Sequence, residues 1–291
     1  MNLEEIRRYR FPTIHDEYSF KDSILYALGL GYGSDPLDRN ELHFVTEDEQ
    51  RVVPSQCNVM SYPGFWVRDE ARLGFDWRRV VHGEQLIKIL KPLPVAAKVR
   101  STPRILAIVD KGKEKGAAVY LEREICLADS GESLALVRST VFARGDGGQG
   151  GFGEPPQAPN RIDTTDPDRV CQISTSRRSA LIYRLSGDFN PLHSNPELAR
   201  QAGFERPILH GMCTMGIACR AILEQFCDYR PECLKSLFVR FSQPVFPGET
   251  IRFEFSQEKG VLRFRALALE RNVTVLDRCT AELAIKFEPI N

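Results

Sequence analysis

The residues best suited to chemistry in this chain are Asp188, Asn190 and His193, which fall within six positions of one another in the stretch GDFNPLH, Gly187 to His193. A carboxylate and an imidazole this close can hold one water between them and move its proton. Further on, the run ERPILHGMCTMG (205–216) places a glycine at the head of an apolar segment. Gly211 there can offer a bare backbone N–H at a helix start, where the dipole favours developing negative charge. Each residue also has a plainer reading. Asp188 and Asn190 beside Gly187 and Pro191 are good turn formers, His193 can be a half-buried hydrogen-bonding residue, and Gly211 can permit close helix packing. The concurrence of all four favours the chemical reading.

The surrounding sequence shows how such a group would be held. Gly187 and Pro191 break the apolar run of Ala180, Leu181, Ile182, Tyr183 and Leu185, which predicts a loop carrying the acid and the histidine. Asn195 as cap, Pro196 at the first helical position and Gly203 as stop predict one short helix. From His210 to about Phe226 the apolar residues cover more than one side, so the spacing predicts a long buried helix, on the order of 25 Å at ~1.5 Å per residue. Upstream, Ser19 can cap a helix running to Leu28, with Asp22 in its first turn and Gly29, Gly31 and Gly33 ending it. Those glycines do not make a phosphate loop, because no strand precedes them and no Lys-Ser/Thr pair follows.

Strand signals dominate elsewhere. Leu42 to Val45 reads as a short strand, and from His82 to Phe142 the runs LIKILKPLP, Ala96 to Ile108, Ala117 to Ala128 and Leu134 to Phe142 form an antiparallel meander, with Lys111 to Gly116 as a hairpin. Gly and Pro then dominate Ala143 to Asn160, which reads as a linker between residues 1–145 and 161–291. After the long helix come strands at Leu237 to Phe241, Thr250 to Phe255, Val261 to Glu270 and Arg278 to Phe287, with Pro244 to Glu249 as a turn and Gln257 to Gly260 as a hairpin. A helical region followed by a strand meander thus occurs twice, a duplicated α+β layout.

GDFNPLH followed by GFERPILHGMCTMG resembles the MaoC-type (R)-specific enoyl-CoA hydratases, also called hydratase 2, and DSILYALGLGYGSDPLDRNELHFVTEDE (Asp22 to Glu49) resembles the opening of the two-half members. The likeness implies a double hot dog fold, two antiparallel sheets each associated with a helix and joined side by side, the long central helix lying in the C-terminal half. It implies Asp188 and His193 as the catalytic pair, with Asn190 holding the water or the loop and the Gly211 N–H polarising the thioester carbonyl. Substrate would be a trans-2-enoyl-CoA and product the (3R)-hydroxyacyl-CoA, with no separate cofactor and no metal. The N-terminal half lacks GDxNPxH, so the family pattern gives it the acyl chain and no catalytic group. Arg206 is the cation best placed for the CoA phosphates, with Pro207 and His210 as neighbouring substrate contacts and Arg177, Arg178 and Arg240 as weaker candidates. A thioesterase of the same fold and a non-catalytic acyl-CoA-binding subunit are the alternatives; the first fits GDFNPLH less well, and the second is expected to have lost Asp188 or His193.

Composition agrees. The chain has 291 residues, 42% hydrophobic, with 39 Lys+Arg against 39 Asp+Glu, so its net charge is zero and nothing global points to nucleic acid or an anionic membrane. The eight cysteines contain no CxxC pair, and the apolar neighbours of Cys126, Cys213 and Cys219 predict reduced, buried thiols. Without an apolar leader, a spanning run or a Ser-Lys-Leu ending, the expectation is a cytoplasmic protein, assembling as a homodimer if it follows its family.

Overall fold

The computed structural model describes residues 1–157, 167–258 and 260–284. The chain opens with helix α1 (Leu3–Arg8) and strand β1 (Ile14–Tyr18), then helix α2 (Phe20–Gly29), helix α3 (Arg39–Val45) and the short helix α4 (Trp66–Asp69). Strands β2 (Val80–Ile89), β3 (Ala97–Ser101), β4 (Arg104–Asp110), β5 (Ala117–Leu127) and β6 (Ser133–Ala143) complete the first half. The second half runs β7 (Arg169–Ser174), α5 (Ser179–Tyr183), α6 (Pro196–Gln201), α7 (Gly211–Phe226), β8 (Leu234–Phe241), β9 (Thr250–Glu258), β10 (Val261–Ala268) and β11 (Val273–Leu283). All pairings are antiparallel, in the order β1-β3-β5-β6-β2-β8-β11-β10-β9-β7, with β4 also on β5. The two predicted sheets are therefore one. They meet at β2 and β8, where Glu84 faces Arg240 and Ile87 faces Leu237.

Helix α7 is the axis of the molecule. Its residues from Cys213 to Leu223 are buried without a break, which is why its sequence is apolar on several sides. The first half packs on it directly, because the missing side chain of Gly216 admits the Leu30 side chain. Arg220 of α7 pairs with the buried carboxylate of Glu41 in α3 and lies 5.1 Å over the Tyr32 ring. Glu41 also accepts from the Gly33 N–H at 2.9 Å. Helix α2 begins where the Ser19 hydroxyl and N–H both donate to Asp22 Oδ2 at 2.7 Å, and those bonds hold the Asp22 carboxyl below its ordinary pKa.

Three expectations are corrected. Leu42 to Val45 is helical because Asp38 caps α3, its Oδ1 accepting from Asn40 N at 2.9 Å, and because Phe44 reaches the core on a helical period. The run Ala96 to Ile108 is split at Thr102 and Pro103 into β3 and β4, since Pro103 has no N–H for the ladder. The stretch Ala143 to Asn160 is no free linker in its first part: Asp146 is buried and binds the N-terminal amine at 2.8 Å, Asp110 accepts from Gly148 and Gly150 N–H, and Phe152 bridges to Ile108. Its last residues, from 158, lie outside the described ones, as do the last residues of the strand expected to reach Phe287. All eight cysteines are free, with Cys213 and Cys219 buried and Cys126 only partly so. Among the described residues no helix is long and apolar enough to cross a membrane.

Candidate active site

The loop after α5 places Asp188 and His193. Gly187 takes φ 116°, which ends the helical turn and lifts the chain away. Asp188 Oδ1 then accepts from Asn190 N–H at 3.2 Å, and Asn190 Oδ1 accepts from Leu192 N–H at 3.1 Å, capping the single turn Pro191–His193. Asn190 thereby spends its oxygen on the loop. The His193 ring is buried with its Nδ1–H donating to the carbonyl of Ile208 at 2.9 Å. A carbonyl only accepts, so Nδ1 carries the proton and Nε2 is left as a lone-pair acceptor.

His210 lies against this pair. Its ring stacks on that of His193 at 3.7 Å and 27°, and its Nε2–H donates to the backbone carbonyl of Asp188 at 3.1 Å. The ligating atoms of Asp188, His193 and His210 all fall within 4.8 Å of one another. The rings lie nearly parallel, and each imidazole has one nitrogen donating to a carbonyl and the other left as a lone pair. Burial lowers the pKa of His193, Asp188 opposing it more weakly. Burial and the adjoining His193 push His210 down to about 3. Both rings are therefore neutral at pH 7.

Gly211 opens α7 directly after His210, and a side chain there would meet the Phe241 ring at 3.3 Å. The helix start is enclosed by a ring of contacts that draws on the first half. Asn58 donates to Met215 Sδ one turn along α7 at 3.5 Å, Gln85 donates to Asn58 Oδ1 at 2.8 Å, and His82 bonds Gln85 Oε1 at 3.0 Å. His82 closes the circuit edge-on against Phe241, centroids 5.2 Å apart. The strand bulges between His82 and Glu84, and Gly83 leaves room for the Phe142 ring; bulges of this kind re-aim side chains beside active sites. Burial lowers the pKa of His82 too, with bonds to Gln85 and Glu84 and the Asp188 charge opposing.

The structure thus brings Asp188, Asn190, His193, His210 and Gly211 together. No hydrogen bond, ion pair or ring contact among the described residues links Arg206 or Pro207 to Asp188 or His193. Arg206 pairs with Glu205 at 3.3 Å and lies 4.9 Å over Phe246, and Arg240 pairs with Asp277 at 3.3 Å. Sequence reading missed His82 and Phe241, although a glycine inside a strand run, as at His82-Gly83, is a bulge signal.

A pH dependence follows from the buried imidazoles. The acid limb of kcat/KM should lie below the ordinary histidine value of 6.5, because His193 resists protonation. Stability should fall over the same range: between 6.5 and about 3 the unfolded chain protonates at position 210 while the folded chain does not. A pH-rate profile with its acid limb above 6.5 would contradict this picture of the site.

An antiparallel sheet continuous across two helix-plus-meander halves, with an acid and a neutral histidine beside a helix start, defines a two-half hot dog protein of hydro-lyase type. The MaoC like domain model matches residues 152–278 and the MFE-2 hydratase 2 N-terminal domain model matches residues 17–145. The chain is 36% identical over 298 residues to the peroxisomal enoyl-CoA hydratase 2 of Arabidopsis thaliana, covering 94% of this chain and 93% of that one. Among solved structures it is similar to a MaoC-like dehydratase from Phytophthora capsici (TM-score 0.85, 31% identity, 99% and 100% of the two chains). It is also similar to the peroxisomal multifunctional enzyme type 2 of Drosophila melanogaster (TM-score 0.77, 33% identity, 93% of this chain and 48% of that one). The chain belongs to the MaoC-like hydratase 2 family.

Proposed function

We propose that this protein adds water across the double bond of trans-2-enoyl-CoA thioesters to give (3R)-hydroxyacyl-CoA, and catalyses the reverse dehydration. The observation that carries the reading is the placement of the Asp188 carboxylate and the His193 imidazole within 4.8 Å of each other, beside the first turn of α7. Water lying between them donates one hydrogen bond to the carboxylate and one to His193 Nε2. Its oxygen bonds to C3 of the substrate, the C2–C3 π electrons move to C2, and the proton taken up by one of the two groups is returned to C2. The pair ends the cycle as it began, and no separate cofactor enters the atom balance. Charge building on the thioester oxygen is met by the Gly211 N–H at the positive end of α7.

Asn190 in this reading orients the loop. The half comprising residues 1–145 accommodates the acyl chain and braces the helix start, while residues 161–291 carry the reacting groups. Arg206, Arg177 and Arg178 remain our candidates for the CoA phosphates, with Pro207 beside them. Assembly as a homodimer and a cytoplasmic location are likewise proposals, resting on family pattern and sequence reading; the Arabidopsis and Drosophila relatives carry the word peroxisomal in their names.

The purified protein should consume the double bond of enoyl-CoA substrates without releasing free CoA thiol. A screen over short, long, branched and ring-bearing acyl groups would show which chains the first half admits. Thiol release without hydration would replace the reading with a thioesterase, and binding without turnover on every substrate would replace it with a silent subunit.

A further inference from the structure

We propose that His210 is a positioning residue for the Asp188 and His193 pair, tying the loop that carries the acid to the ring that carries the base, and that it makes no contact with substrate. The inference rests on the hydratase reading above and replaces the substrate-binding role that its position in the motif suggested. One residue reaches every part of the site. Its side-chain Nε2–H holds the Asp188 carbonyl at 3.1 Å, its ring lies flat on His193 at 3.7 Å, and its backbone carbonyl accepts from Thr214 N–H at 3.1 Å as α7 begins. The residue is 1% exposed. Its ring is further enclosed by Tyr183, itself fully buried, with centroids 5.0 Å apart.

One atom is orphaned: His210 Nδ1 is buried and has no hydrogen-bond partner among the described residues. Buried polar groups are ordinarily paired, and a phenylalanine would fill the space of this imidazole without leaving an acceptor open. What an imidazole supplies and a phenyl ring does not is the Nε2–H held against the Asp188 carbonyl. That bond fixes the main chain at the acid and so the direction in which the carboxylate points. The groups facing His210 are His193, Asp188, Tyr183 and Arg184, and the burial that keeps it uncharged means that a proton arriving at His193 meets no positive ring stacked on it.

The test compares the intact protein with His210→Phe, which keeps the stack and loses the donor, and His210→Gln, which keeps a donor and loses the stack. His210→Phe should lower kcat tenfold or more, with KM within about threefold of the parent and the thermal midpoint nearly unchanged, and His210→Gln should recover part of that loss. A large rise in KM at preserved kcat would make His210 a substrate contact and overturn the proposal. So would kcat within threefold of the parent in His210→Phe, or losses in both variants that follow only the fraction folded. The titration midpoint of His193, followed by imidazole NMR, reads the claim without turnover. It should fall in His210→Phe, because Asp188, which raises it, is no longer held; an unchanged midpoint would overturn the positioning role. If the parent itself does not hydrate enoyl-CoA, the function reading fails on that result while the NMR arm still decides this one.

Discussion

Asp188→Asn and His193→Ala should each lose about a hundredfold or more in kcat while the fold is kept, the range expected when a positioned proton-transfer group is removed. The expectation follows from the geometry of one water held by two acceptors. Asn at 188 can still accept from the Asn190 N–H that organises the loop at 3.2 Å, but it has no charge and no proton-accepting oxygen of carboxylate strength. Ala at 193 removes the Nε2 lone pair that the Ile208 carbonyl had fixed by holding Nδ1–H. Because both groups act on the same water, the double variant should cost far less than the product of the single losses. Steady-state kinetics on any accepted enoyl-CoA gives the answer, and near-parental turnover in either single variant would remove that residue from the chemistry.

The second large effect concerns the joint between the halves. Arg220 and Glu41 are almost sealed from solvent, 10% and 4% exposed at their side chains. Replacing one partner of such a pair leaves a buried charge without compensation, which costs about 3–5 kcal/mol. Arg220→Met should therefore destabilise strongly, leaving the Glu41 carboxylate with the Gly33 N–H as its remaining bond. At ~2–4 °C per kcal/mol the thermal midpoint should drop by on the order of 10 °C. Replacing both partners with apolar residues of similar volume should restore most of the loss, since a well-packed substitute for the pair is often neutral. Scanning calorimetry on the parent, the single and the double variant checks this. A drop of under about 2 °C in the single variant would mean that water reaches Glu41 and that this joint contributes little.

What was legible in the sequence was what local chemistry determines. Ser19 with Asp22, Asn195 with Pro196, and the apolar run after Gly211 specify their helices through caps and side-chain period, and the structure has all three. What depends on a partner was not legible. Strand β1 reads IHDEY and strand β7 is largely exposed, so neither has an apolar signature; each is a strand because an edge of the sheet pairs with it. Leu42 to Val45 misled because Leu42, Phe44 and Val45 fit a short strand as well as a helix, and Asp38 decides between them. The Gly-rich stretch after Ala143 looked free because its bonds are made by its backbone to Asp110, which composition cannot show. At the site, the GDFNPLH spacing located Asp188, Asn190 and His193, and Gly211 followed from helix-start logic. The role of His210 required knowing which rings stack, a fact of three-dimensional packing, and His82 was marked only by the glycine that follows it in the strand.

A single water-holding pair on one face of the substrate should make a single alcohol. Incubating the purified protein with a trans-2-enoyl-CoA and coupling it in turn to an (R)-specific and an (S)-specific hydroxyacyl-CoA dehydrogenase reads that directly. Reduced cofactor should form with the (R) enzyme alone, and its rate should fall about a hundredfold or more in Asp188→Asn. Signal with the (S) enzyme alone would mean that water reaches the opposite face and that Asp188 and His193 do not hold it as described.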